Sequence, residues 1–235
     1  MKNIQNHVAV ITGGSRGIGK AIGRALASKG AKVVLAARSA RDLDAAVREL
    51  QTDGLAAVAV PTDITLQEDV EMLISSTYEK FGRIDTLVNN AGIGVFKPAV
   101  EMRIEEFDAM WNVNVRGVFL ATKSVLPHML KAKSGNIVNI ASLAGKNSFK
   151  GGTGYAATKW ALRGFASSLM LEIRESNIRV VTIFPGSVNT HFSSTNLRGD
   201  NITQPEDVAD AVVFAVTAPE RSIFSEIDIR PTHPR

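Results

Sequence analysis

Residues 8–30 read VAVITGGSRGIGKAIGRALASKG: an apolar run, a glycine-rich turn and an amphipathic stretch in immediate succession. Val8 to Ile11 is short and largely β-branched, as suits a strand covered on both faces. From Gly17 to Lys29, Ile18, Ile22 and Leu26 recur at i, i+4 and i+8, the stripe of a helix with one buried face, and Gly30 follows as its C-terminal cap. Between them lies Thr12-Gly13-Gly14-Ser15-Arg16-Gly17-Ile18-Gly19. Glycines there permit a tight turn and close approach of a ligand, while the helix N-terminus offers free N–H groups and the positive end of its dipole. The spacing G-x-x-x-G-x-G differs from the fingerprint G-x-G-x-x-G. Strand, turn and helix in this order nevertheless predict a phosphate cradle rather than a merely structural turn.

The same alternation continues down the chain. Apolar, β-branched runs recur at 32–37, 56–60, 86–88, 136–140, 180–184 and 227–229, with helical stretches between them. Thr65 with Glu68, and Thr203 with Glu206, the latter with Pro205 in the first turn, read as capping boxes that start two of these helices. Runs that are apolar throughout belong to a parallel sheet flanked by helices, so the expected fold is a single α/β domain over residues 1–235. It is a Rossmann-type, doubly wound sheet of about seven parallel strands. The one long polar interruption, His191 to Gln204, reads as a surface loop near strand ends, where function often resides.

Composition narrows the function classes. The net charge of +4, from 27 Lys and Arg against 23 Asp and Glu, is spread along the chain and forms no clustered basic run of the kind nucleic-acid binding needs. There are no cysteines, which removes disulfides and thiolate chemistry and fits a reducing compartment. The four histidines, His7, His128, His191 and His233, are scattered without metal-ligand spacing, so no metal is expected. No stretch is long and apolar enough to span a bilayer. A soluble, cytoplasmic protein acting without membrane or nucleic acid is the expectation.

At the end of the second strand, where an acidic residue would bond the ribose hydroxyls of NAD, the chain carries Ala37 and then Arg38. With Arg16 in the first turn, Arg38 would bring a second guanidinium to one corner, and guanidinium forks match a 2'-phosphate. NADP(H) is therefore the expected cofactor. The alternative is that Arg38 is a solvated loop residue.

Taken together the residues resemble the short-chain dehydrogenase/reductase family over nearly the whole chain. TGGSRGIG at 12–19, Asp63, NNAG at 89–92, Asn114 in NVRG, Ser142, YAATK at 155–159 and PGSVNT at 185–190 arrive in the family's order. The resemblance implies a catalytic tetrad of Asn114, Ser142, Tyr155 and Lys159. It also implies a cofactor site built from Gly13, Ser15, Arg16, Gly17, Ile18, Gly19, Arg38, Asp63, Ile64, Asn90, Ala91, Gly92, Tyr155, Lys159, Pro185, Gly186, Val188 and Thr190. Family members pair through helices matching 104–131 and 154–175, so a homodimer or homotetramer is implied.

The implied chemistry is reduction of a ketone to a secondary alcohol. Tyr155 and Lys159, four residues apart, share one helix face, where the phenol would donate the proton and the ammonium would lower its pKa. Moving a tyrosine from about 10 to about 7 needs roughly 4 kcal/mol, more than one exposed lysine supplies. Ser142 would polarise the carbonyl, and Asn114 would help hold a water that links the lysine to solvent. Phe96, Leu143, Phe149 and Phe192, with the 191–204 loop, are candidates for the substrate wall. A carbonyl reductase is the first reading. A 3-oxoacyl thioester reductase stands beside it, since Lys146, Lys150, Arg116 and Arg163 would together make a basic patch for an acidic carrier protein. A catalytically idle NADP-binding regulatory protein is the alternative of a different class.

Overall fold

Alternating side chains of the central strands feed two separate cores. The computed structural model describes residues 2–190, 192 and 202–232. On one face Ile11, Val33 and Leu35 pack with Ile22, Leu26, Leu43, Val208 and Val212. On the other, Val10, Val34 and Leu87 pack with Leu73, Leu120, Val125, Leu169 and Ile173. Strands that serve both cores cannot afford a polar face, which is why they read as unbroken apolar runs.

The strands are β1 (Val8–Thr12), β2 (Lys32–Ala37), β3 (Ala57–Pro61), β4 (Thr86–Asn89), β5 (Gly135–Ile140), β6 (Ile178–Pro185) and β7 (Glu226–Ile229). They form one seven-stranded, wholly parallel sheet in the order β3-β2-β1-β4-β5-β6-β7. The helices are α1 (Gly17–Ser28), α2 (Ala40–Thr52), α3 (Gln67–Phe81), α4 (Ile104–Trp111), α5 (Gly117–Ala132), α6 (Thr153–Ile173) and α7 (Pro205–Thr217). Helices α1, α2 and α7 supply the first core, while α3, α5 and α6 supply the second. Strand order reverses between β1 and β4, and a crevice opens beyond the carboxyl ends of these two strands.

The seven expected strands are all present, with ends moved by one or two residues. Both expected capping boxes are displaced. Helix α3 starts after Leu66, because the Thr65 hydroxyl bonds the Asp63 carboxylate at 2.7 Å instead of a helix N–H. Helix α7 is capped by Gln204 paired with Asp207, whose carboxylate accepts the Gln204 N–H at 2.7 Å, one residue beyond the Thr203–Glu206 pair. Thr203 instead forms an isolated bridge with Val188. Of the 191–204 loop, His191 and residues 193–201 lie outside the described residues, as does His233. Among the described residues no helix is long and apolar enough to cross a membrane, and no group of His, Asp or Glu could hold a metal.

Candidate active site

The glycine turn joins β1 to α1 and is clasped to the end of β4. Thr12 Oγ1 accepts from the backbone N–H of Asn90 and of Ala91, both at 3.0 Å, and Asn90 Nδ2 donates back to the Thr12 carbonyl at 2.9 Å. Gly13 has φ +65° and Gly17 φ +53°, both in the left-handed region that a side chain disfavours. A Cβ on Gly13 would stand 2.9 Å from Ala91 Cα, and one on Gly17 would project to within 3.5 Å of Thr190 Cγ2. The turn is thus a bare-backbone cradle facing the PGSVNT segment across the crevice. No side chain caps α1, and its first turn carries no acid, so its N–H groups point into this cradle with their positive potential uncancelled.

Asp63 and Ile64 follow β3. Burial raises the Asp63 carboxyl, but the Thr65 N–H and hydroxyl, with the Arg38 guanidinium nearby, hold it below the usual carboxylate range. Ile64 is buried against Gly117, where a Cβ would come within 3.0 Å of its side chain and backbone. Arg16 and Arg38 are both exposed at this end of the sheet. Pro185 ends β6, Gly186 N–H is tied to the Ile229 carbonyl at 2.8 Å, and Val188 and Thr190 run on toward α1. A dinucleotide fits these residues by the chemistry of the donors and by the space that the missing Cβ atoms leave.

Asn114, Ser142, Tyr155 and Lys159 all converge on the carboxyl ends of β4 and β5. Tyr155 and Lys159 lie one turn apart on α6, both buried, with the Lys159 Nζ 5.6 Å from the centre of the Tyr155 ring. Lys159 Nζ donates to the Ile140 carbonyl at 3.2 Å and lies close to Gly92, where a Cβ would sit 3.8 Å away. Ser142 leaves β5 as the cap of the short turn Leu143–Gly145, accepting the Ala144 N–H at 3.1 Å. Its hydroxyl also lies near enough to the Tyr155 phenol to lower that group against burial.

The chain's own groups do not by themselves lower Tyr155. Burial pushes the phenol up to about 12, against a smaller lowering by Ser142, and burial pushes Lys159 down to about 8. Both groups are therefore buried against their own electrostatic preference, which makes them candidates for a functional site and excludes a surface pair.

Asn114 is fixed by its neighbours. It sits in a π-helical turn, Asn112–Arg116, between α4 and α5. Its side chain is spent on Ile93, accepting the N–H and donating to the carbonyl, both at 2.9 Å, and on the Thr158 hydroxyl at 3.0 Å. Thr158, fully buried, donates in turn to the Tyr155 carbonyl at 2.8 Å. Thr12 and Thr158 are therefore positioning residues that the sequence reading passed over. Their signal was a hydroxyl set inside an apolar run, at the edge of TGG and inside YAATK.

The four basic residues suggested for a carrier-protein patch are mostly engaged within the chain. Lys146 pairs with Glu226 at 2.8 Å and Asp228 at 2.6 Å, Arg163 pairs with Glu226 at 2.7 Å, and Arg116 donates to the Thr65 carbonyl. Of the four, three are committed within the chain. Phe96, Phe149 and Phe192 do gather beside Tyr155, and Leu143 lies in the turn behind Ser142.

A doubly wound parallel sheet, a bare glycine cradle at its switch point and, beside that cradle, half-buried Ser142 with buried Tyr155 and Lys159 are the features of an oxidoreductase of short-chain type. The profile of the short chain dehydrogenase family matches residues 7–201, and the chain belongs to that family. It is 36% identical over 232 residues to an uncharacterized oxidoreductase of Staphylococcus aureus, covering 98% of this chain and 100% of that one. To an uncharacterized oxidoreductase of Staphylococcus saprophyticus it is 37% identical over 233 residues, with the same coverage of 98% and 100%. Among solved structures it resembles an alcohol dehydrogenase from the archaeon Thermococcus sibiricus complexed with 5-hydroxy-NADP. That match has a TM-score of 0.92 and 33% identity, over 98% of this chain and 99% of that one. A metagenomic short-chain oxidoreductase in complex with NADP superposes with a TM-score of 0.88 and 38% identity, over 99% and 100%.

Proposed function

We propose that this protein is an NADPH-dependent carbonyl reductase that converts a ketone to a secondary alcohol. The observation that carries the reading is the meeting of the Tyr155 phenol, the Ser142 hydroxyl and the buried Lys159 ammonium beside the glycine cradle. The cofactor in both solved neighbours, NADP or its hydroxy derivative, supports the choice of nucleotide.

In this reading the N–H groups of 13–19 and the α1 N-terminus hold the pyrophosphate. Asp63 and Ile64 flank the adenine, Asn90 to Gly92 the ribose beside it, and Pro185 to Thr190 the carboxamide. Arg16 and Arg38 receive the 2'-phosphate. When bound, the reduced nicotinamide supplies a hydride for the carbonyl carbon. Ser142 donates a hydrogen bond to the carbonyl oxygen, and Tyr155 passes its phenolic proton to that oxygen as negative charge builds there.

A phenol held near 12 is fully protonated at neutral pH, so it is ready as a donor without any lowering. What Lys159 then supplies is stabilisation of the phenolate left behind and, with its own group held near 8, a proton to restore it. The commitment of Lys146, Arg163 and Arg116 within the chain favours a small ketone over a carrier-bound acyl thioester.

The test is consumption of NADPH and of NADH, followed at the nicotinamide absorbance, against a panel of ketones and 3-oxoacyl thioesters. NADPH should support turnover and NADH barely so. Tyr155→Phe should still bind NADPH while reduction falls by a factor of about a hundred or more. Full activity in that variant removes Tyr155 from the proton step. NADPH binding without any turnover would favour the idle regulatory protein.

A further inference from the structure

Two phenylalanines touch the Tyr155 ring and a third extends the cluster through Phe96. Phe96 meets the tyrosine ring edge-on, with centroids 5.1 Å apart and planes at 70°, and Phe192 lies 5.8 Å from it. Phe96 also reaches Phe149 at 6.0 Å and Phe192 at 6.3 Å, so the four rings form one cluster. Tyr155 is 7% exposed, whereas Phe96, Phe149 and Phe192 are 44%, 47% and 44% exposed. Nearly half of each outer phenylalanine is therefore open to solvent beside the buried phenol.

These rings are set in place by the backbone. A Cβ on Gly94 would stand 2.8 Å from Phe96 Cζ and 3.0 Å from Phe192 Cζ, and one on Gly152 would run into the Phe149 ring. Rings seated directly on glycine backbone have little room to turn, which lowers the cost of fixing them around a bound molecule. The cations that flank them are engaged. Lys97 is held by both oxygens of Glu106, at 2.8 and 2.9 Å, and Lys146 by Glu226 and Asp228. Lys150, next to Phe149, is exposed and makes no ion pair among the described residues. One flexible surface lysine is a poor anchor for an anionic tail, whereas three partly open rings are a built surface for an apolar one.

Resting on the carbonyl-reductase reading of this same site, we propose that its substrates are uncharged aryl ketones, the aryl ring lodged among Phe96, Phe149 and Phe192 with the carbonyl at Tyr155 and Ser142. An edge-to-face aromatic contact adds roughly 2- to 10-fold in affinity beyond the area buried. A saturated ring of the same size buries the same area without that contribution.

The experiment compares phenyl methyl ketone with cyclohexyl methyl ketone under saturating NADPH, in the full chain and in Phe96→Leu and Phe149→Leu. Taking the phenyl-to-cyclohexyl ratio of kcat/KM in each protein, and comparing it between proteins, cancels the intrinsic reactivities of the two ketones. The ratio should fall about fivefold to tenfold in Phe96→Leu, mainly through KM, and in the same direction but less in Phe149→Leu. NADPH binding by nicotinamide fluorescence checks that each variant is folded, with Phe96→Met replacing a variant that fails. Ratios equal to wild type in both variants overturn the aryl assignment while leaving the reductase reading intact. So does a 3-oxoacyl thioester that outperforms phenyl methyl ketone by more than tenfold. A wild-type protein that reduces no carbonyl compound at all overturns both.

Discussion

Replacing Lys159 with methionine should stabilise the protein while abolishing its activity. Lys159 is 5% exposed, and burial alone lowers it from 10.5 to about 8. A lowered ammonium pKa means the folded state disfavours the charged form, so stability is greatest above the unfolded value and is lost as pH falls toward the folded one. At pH 7 the whole penalty is present, about 3 kcal/mol at about 1.4 per unit. Methionine matches the stem and carries no charge. It forfeits the bond to the Ile140 carbonyl, at about 1 kcal/mol, leaving a net gain of about 2. For a chain of this size that is a rise in melting temperature of roughly 4–8 °C. Thermal unfolding of both proteins without cofactor, from pH 7 to pH 10, is the assay. The gap should be widest at pH 7 and shrink as pH approaches 10, where the wild-type amine is already neutral in the folded state and the unfolded one nears its own pKa of 10.5. Tyr155 is common to both proteins and cancels. A variant that melts below wild type at pH 7, or a gap that ignores pH, refutes the reasoning.

Arg38→Asp should weaken NADPH binding by about 10- to 100-fold and improve NADH binding, measured by nicotinamide fluorescence titration; unchanged affinities would mean the guanidinium does not meet the 2'-phosphate. Thr158→Val takes an acceptor from Asn114 and a donor from the Tyr155 carbonyl, and should cost about 1–3 kcal/mol on thermal melts, with kcat falling more than KM rises. An unchanged melt would show that the Asn114–Thr158–Tyr155 chain positions nothing. Because the phenol stands near 12 and Lys159 near 8, alcohol oxidation, which needs the phenolate, should quicken from pH 7 to 10 while ketone reduction declines above about pH 8 as Lys159 loses its proton. Reduction that climbs with pH in parallel would contradict a phenol donor.

The strands were legible because residues such as Val33, Val34 and Leu35 face alternate cores yet are all fully covered, so no polar position interrupts the run. The tetrad and the cradle were legible as an ordered set of short motifs, each lying where a strand ends. Helix starts were less so. Thr65 offers a hydroxyl to any nearby acceptor, and Asp63 takes it before the helix can. The partners of Lys146 and Arg163 lie on β7, more than sixty residues away, which local pattern does not reach. The π-turn at Asn112–Arg116 carries neither glycine nor proline to announce it. The direction of the Tyr155 shift depended on how deeply α6 is buried, which sequence spacing does not report.

The clasp between Thr12 and Asn90 bears on the order in which the protein can be made. The cradle's own glycines emerge from the ribosome early, but the groups that brace them come from the end of β4, 78 residues later. Until that strand has emerged and paired with β1, Thr12 has no Asn90 to hold and the bare loop has no wall. A cradle braced for the nucleotide thus exists only once β4 has paired with β1, 78 residues beyond Thr12 in the chain.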